Sequence, residues 1–383
     1  LKAMQGQRFA EKGLDGQGIR IAVFDAGFPG VDTHPAFMHM HQEGRIVATR
    51  DFFRNSDNVY RGNQHGTMVL AMIGGKLDGV AMGLATAAEY ILARTETWHE
   101  PMVEEQYWLA AVEWADRMGA DIINSSLGYF HHRYFPEQMD GQTSLVARAA
   151  VKAARKGILV VNAAGNGGES RSWPTVITPA DADSVLTVGA VSLPSLLRTG
   201  YSSSGPTADG RLKPNVTAVG NVLTANRRAF TQARGTSFSA PLVSGFAACV
   251  WQKNRSWNNI QLLRSIERSA SLYPYFDYAH GFGVPQAGYF LEGGPHIIPP
   301  SFDLIRQDDE LIMRIRQSVS PSSETDTGER YAFYHIRSAK CSIRQYFVVR
   351  VEQPDVIRLS LNQIQAGDTL YFHYNGFTAS YIP

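Results

Sequence analysis

Between residues 19 and 270 of this chain, short apolar runs alternate with longer amphipathic ones. The runs "IRIAVFDAG", "EYILARTE", "DIINSSLG", "ILVVNAAG" and "SVLTVGAV" are rich in Ile and Val and end in polar or small residues, as buried strands do. Between them, "VEEQYWLAAVEWADRMG" and "QTSLVARAAVKAARKG" show helical spacing, and each closes on a glycine, the usual C-terminal stop. Strand and helix in regular alternation leave few solutions. They predict the α/β class, a parallel sheet with helices on both faces.

The pattern breaks at "LEGGPHIIPPSFD", where Gly293, Gly294, Pro295, Pro299 and Pro300 mark a linker. Beyond it, "ELIMRIRQ", "YAFYHIR", "QYFVVRVEQ", "VIRLSL" and "TLYFHYN" read as short strands parted by polar turns, with no helix among them. A small all-β, sandwich-like domain is expected there. At 383 residues the chain is too long for one ordinary core, so two domains are expected, 1–294 and 295–383. "SPSSETDTGE" reads as a surface loop, Glu104–Glu105 as an exposed helix start and Asp308–Asp309 as a hairpin turn.

Composition narrows the function classes. The formal net charge is +1 and no long basic run occurs, which argues against a nucleic-acid partner. No stretch approaches 18 consecutive apolar residues, so no membrane span is expected. Cys249 and Cys341 are too few for a disulfide framework, and Cys249, inside an apolar segment, reads as a buried free thiol. No G-x-S-x-G elbow, G-x-x-x-x-G-K-[ST] loop or strand-linked G-x-G-x-x-G is present, which removes support for lipase-like and nucleotide chemistry. The chain begins at Leu1, and a processed or trimmed form is expected.

Polar residues at strand ends carry the chemistry, because ligands of α/β sheets sit at the carboxyl ends of strands. Asp25 ends "IRIAVFDAG", and His65 precedes an apolar helix in "NQHGTMVLAMIGG". Asn166 sits on the glycine-rich end of "ILVVNAAGNGG", and Ser237 opens the helix of "GTSFSAPLVSGFAACVWQKN" after Gly235. Each has a plain structural reading: Asp25 as a turn former, His65 bonded to backbone, Asn166 as a loop residue, Ser237 as a helix cap. Taken together they supply the four parts of acyl transfer: nucleophile, base, orienting carboxylate and oxyanion donor. Ser239 competes with Ser237, but a two-residue helical step turns its side chain about 200° away. Pro241 is expected in the first turn, where no intrahelical donor is lost.

"VFDAG", "HGTMV", "SSLG", "NAAGNGG" and "GTSFSAPLVSG", in this order over residues 10–290, resemble the subtilisin-like serine peptidases. "YSSSGPTADGRLKPNVTAVG" is similar to the family's stretch before the nucleophile, and "EWADRMGADIINSSLGY" resembles secreted members from Bacteroidetes-type bacteria. The resemblance implies Ser237 as nucleophile, His65 as general base and then acid, and Asp25 as the carboxylate that orients it. It implies Asn166 as oxyanion donor; in a subtilisin itself, losing that donor lowers turnover about 10²–10³-fold. It places Ser126, Leu127 and Gly128 along the substrate backbone as an added strand, and Ala163, Ala164 and Gly165 on the other wall of the pocket for the residue before the scissile bond.

The chain departs from the family at Ala26, where a hydroxyl residue is usual, and in "GVAMGLATAAEY", which lacks a usual proline. A prodomain that many relatives carry is not in this sequence, so a mature form is expected. Implied further are a protein or peptide substrate, a secreted or cell-envelope location, and no cofactor for the chemistry. Structural calcium is common among relatives but its ligands are not assignable here, and oligomeric state stays open. No acid lies in the matched pocket segments to favour a basic residue, so specificity stays open too.

Other readings stand beside this one. An amine instead of water could resolve the acyl-enzyme, giving a peptide ligase or cyclase. The C-terminal domain, with Tyr346, Phe347, Tyr371, Phe372 and Tyr374, could bind a surface or partner, although strand alternation sends half of such residues to a core. His34, His39 and His41 invite a metal reading, but no Cys or carboxylate partner accompanies them. His131–His132 reads as a solvated loop near the cleft.

Overall fold

The computed structural model describes residues 1–97, 99, 101–294, 298–316, 330–340, 342–352 and 355–383. Cys341, the linker's Pro295 and all of "SPSSETDTGE" lie outside the described residues.

The Ile- and Val-rich runs form the strands expected of them: Arg20–Asp25, Glu89–Arg94, Ile122–Ser125, Leu159–Ala163 and Val185–Ser192. Two more extend a parallel sheet, Val216–Val219 at one edge and Ile46–Asp51 at the other, and the short Leu197–Arg198 adds antiparallel to Val185–Ser192. Ile46–Asp51 escapes a sequence reading because only Asp51 in it is buried, so no continuous apolar run marks it. Across the sheet the order is 216–219, 185–192, 159–163, 122–125, 20–25, 89–94, 46–51.

Strand alternation divides the core in two. Ile21 and Val23 point to one face, where the helices His65–Gly74 and Thr236–Lys253 cover them. Ala22 and Phe24 point to the other, under Glu104–Arg117 and Leu145–Arg155. There Phe24 meets the edge of Trp108 at 5.6 Å, a contact of fully buried rings. Burying one such side chain contributes about 1.5–3 kcal/mol.

Glu104 and Glu105 correct an expectation: they open their helix but are 0% and 4% exposed. Arg133, itself almost buried, reaches Glu104 at 2.9 Å and Glu105 at 3.4 Å, and Tyr134 donates to Glu105 at 2.6 Å. A distant loop supplies the countercharge, which local sequence does not reveal. Cys249 is buried, as read.

Among the described residues after 300, every strand pairs antiparallel, with one short 3-10 turn at Leu361–Gln363. One sheet joins 302–307, 310–315 and 356–360, and a second joins 343–350, 331–337, 369–374 and 377–381. Phe302, Leu311 and Met313 of the first pack with Ala332, Leu370 and Phe372 of the second. Asp308, at φ 51°, makes the hairpin turn with Asp309. Of the aromatics singled out, Phe372 and Tyr374 are core, whereas Phe347 is exposed and stacks on Tyr334 at 4.6 Å. Leu272 and Tyr275 of the α/β part pack against Phe333 of this β region.

Candidate active site

The chain goes from Arg20–Asp25 to strands on one side of it, then returns to Ile122–Ser125 on the other. Strand order therefore reverses beside Asp25, and crevices open at the carboxyl ends of strands at such a switch point. Asp25 and Ser126 emerge on the two sides of this one.

Asp25 is fully buried, a costly place for a carboxylate unless it is bonded. Its Oδ1 accepts from the Ala26 N–H at 2.8 Å, and its two oxygens lie 2.8 and 3.0 Å from His65 Nδ1. His65 is the first residue of the helix His65–Gly74, and its own N–H is held by Asn63 Oδ1 at 3.0 Å. Gly66 follows because a side chain there would strike the Gly27 carbonyl and Asp25 itself. Burial alone would lower the imidazole pKa. The Asp25 charge and hydrogen bond outweigh it, and the pKa is raised from its ordinary value of 6.5.

Gly235, at φ 145°, turns the chain into the long apolar helix Thr236–Lys253. The helix thus begins one residue before Ser237. Pro241 accordingly falls as its sixth residue, beyond the first turn, which corrects the expected placement. The consequence is specific: Pro241 has no N–H to give the Ser237 carbonyl four residues back. Ser126 Oγ donates to that carbonyl instead, at 2.8 Å. Ser126 Oγ is in turn held by Asn124 Nδ2 at 3.3 Å, and Asn124 Oδ1 accepts from Ser244 of the same helix at 2.8 Å. Ser237 Oγ does not cap the helix; it donates to the Ser126 carbonyl at 3.2 Å. Ser239 points elsewhere, donating to the Ala218 carbonyl at 3.1 Å.

Asn166 Oδ1 accepts from the Thr236 N–H at 2.9 Å and from Thr236 Oγ1 at 3.1 Å. A backbone N–H can only donate, so the oxygen is fixed and the amide nitrogen is left to face the cleft. The Ser237 N–H, second in its helix, is one of the four with no intrahelical acceptor. His65, Asn166 and Ser237 border one cleft of ≈ 510 Å³.

Ser126, Leu127 and Gly128 form one wall of it, and Ala163 and Gly165 the opposite wall. Ala164 does not line the cleft: its side chain packs with Val176 and Ala180. His131 lines it too, from the loop expected near the cleft, and so do Glu96, Thr97, Phe130 and Ile177, to which the sequence reading gave no role. Ile177 lies against two glycines of the walls: a Cβ on Gly128 would overlap it at 2.1 Å, and one on Gly165 would press on it at 3.0 Å. Of the other histidines, His34 Nδ1 accepts from Ala36 N–H, while His39 and His41 contact the Gly74 and Val31 carbonyls.

A buried carboxylate, an imidazole, a hydroxyl on a helix start and a free amide, at the switch point of a parallel sheet, define a serine-hydrolase site. The chain belongs to the subtilase family, whose model (Peptidase_S8) matches residues 16–283 and ends before the C-terminal strands, and it is a serine endopeptidase. Subtilisin E of Bacillus subtilis (strain 168) is 30% identical over 283 residues, 72% of this chain and 67% of that one. Subtilisin of Bacillus pumilus is 30% identical over 281 residues, 72% and 92% of the two. Among solved structures, a cold adapted subtilisin-like serine proteinase is 25% identical over 71% of this chain and 88% of its own, with a TM-score of 0.55. MycP1 with its N-terminal propeptide removed is 25% identical over 78% and 97%, with a TM-score of 0.59.

Proposed function

We propose that the chain hydrolyses peptide bonds through an acyl-enzyme on Ser237, with Asp25 and His65 as its relay and Asn166 as oxyanion donor. His65, held from behind by the buried Asp25 and facing the same cleft as Ser237, is the observation that supports this most directly. With Nδ1–H given to Asp25, the His65 Nε2 is the free acceptor. The Ser237 hydroxyl leaves the Ser126 carbonyl, attacks the scissile carbonyl carbon and passes its proton to Nε2. Asn166 Nδ2 and the Ser237 N–H receive the oxyanion that forms. His65 then protonates the leaving amine, and a water, deprotonated by His65, releases the acyl group. Asp25 keeps the imidazole in the required tautomer throughout. Residues 126–128 offer an extended edge to the substrate backbone.

The test is intact mass after treatment with a fluorophosphonate. A single adduct on the wild type and none on Ser237→Ala is expected. An adduct that persists on a folded Ser237→Ala protein would move the nucleophile elsewhere.

A further inference from the structure

Gly128 and Gly165 stand on opposite walls of the cleft, and both meet the same side chain. A Cβ built on Gly128 would lie 2.1 Å from Ile177 Cδ1 and 2.5 Å from Cγ1. One built on Gly165 would lie 3.0 Å from Ile177 Cγ2 and 3.1 Å from Cδ1. The Ile177 side chain therefore fills the interval between the walls. Both walls also hold its backbone. The Ile177 N–H donates to the Ala164 carbonyl at 3.1 Å, and Thr178 exchanges two hydrogen bonds with Tyr129, at 2.9 and 3.3 Å.

Nothing behind Ile177 yields. It is 7% exposed and packs on buried Met139 and Trp173, with Phe130 and Tyr134 against them. Trp173 is itself 2% exposed and braced by Phe130 at 5.6 Å. A close-packed cluster cannot give up a methyl group's space without strain.

We infer that Ile177 is the floor of the pocket for the residue on the acyl side of the scissile bond, and that it restricts that residue to glycine, alanine or serine. The inference rests on the catalytic reading above. A larger side chain entering between the walls meets the Cγ2 and Cδ1 methyl groups of Ile177 before its own γ-atoms are accommodated. The floor carries no polar atom to receive a charged or amide side chain.

The experiment compares kcat/KM on peptides that differ only at this residue, with Ala, Leu or Phe, for wild type, Ile177→Ala and Ile177→Gly. Pocket shape of this kind discriminates by about 10–200-fold. Wild type is expected to favour Ala over Phe by at least ~10-fold, and Ile177→Gly to raise the Phe rate enough to reverse the ratio. Ile177→Ala, which keeps the Cβ, should fall between and guards against a glycine variant that does not fold. Wild type cleaving after Phe or Leu as readily as after Ala overturns the proposal. So does an unchanged Ala-to-Phe ratio in a folded variant. Fluorophosphonate labelling separates the two levels: a labelled Ser237 with no size preference sinks the pocket floor alone, whereas no labelling and no cleavage of any peptide sinks the catalytic reading with it.

Discussion

At the scale of single residues, the site is an arrangement of opposed effects. Burial of His65 pushes its pKa down and Asp25 pushes it up, with the net shift upward. In the proposed mechanism His65 is the general base, which works only when neutral, so activity is expected to rise with pH through the raised His65 pKa. In Asp25→Asn the burial effect remains and the raising effects go, so the acid limb of kcat/KM moves to lower pH. The Asn amide also favours the wrong tautomer, and turnover falls by about 10⁴, the loss seen in another serine protease. A pH-rate profile of Asp25→Asn checks both, and an acid limb that stays in place would show that Asp25 does not set the His65 pKa. These residues were legible because each is the polar end of an apolar run. Asn124, which anchors Ser126, was not, since an amide within a buried strand carries no sign of what it will face.

At the scale of elements, the helix carrying Ser237 is held by a bond that its own sequence removes. Pro241 takes away the intrahelical donor to the Ser237 carbonyl, and Ser126, on the central sheet, replaces it at 2.8 Å. Ser126→Ala leaves that carbonyl without either partner and costs about 1 kcal/mol in chemical denaturation. Pro241→Ala restores an N–H at the right position, so the double variant should lose less than the sum of the two single changes. Strict additivity would mean that the two donors do not substitute for each other. The existence of this helix was readable from "SFSAPLVSGFAACVWQKN", but its first residue was not. Whether the helix starts at Thr236 or Ser237 depends on where Gly235 turns, and that is set by Asn166 pulling on the Thr236 N–H from another loop. The same limit applies to Glu104 and Glu105, whose burial depends on Arg133 arriving from a loop about thirty residues on.

At the scale of the whole molecule, the contact between the α/β part and the C-terminal sheets is built around two histidines. His335 and His373 lie on neighbouring strands, 5% and 2% exposed, with the Tyr275 ring 5.0 and 5.9 Å away. Burial lowers both pKa values to about 4, against the partial opposition of Asp277 at His335. Both rings are therefore neutral in the folded protein at pH 7, and the unfolded chain, with ordinary values near 6.5, takes up protons first on acidification. The unfolded state binds more protons between about 6.5 and 4, so stability is complete above that window and falls as pH drops through it. The loss amounts to roughly 3 kcal/mol per histidine by its lower end. Because the histidines sit at the contact, opening should begin there and not in the parallel sheet. Hydrogen exchange at pH 7 and pH 5, corrected for intrinsic rates, should show protection falling in 331–337 and 369–374 while Leu159–Ala163 keeps its own. Replacing both histidines with Phe should flatten that difference. If the two regions lose protection together in the wild type, the parts unfold as one unit, and the histidines report global stability instead of a local seam.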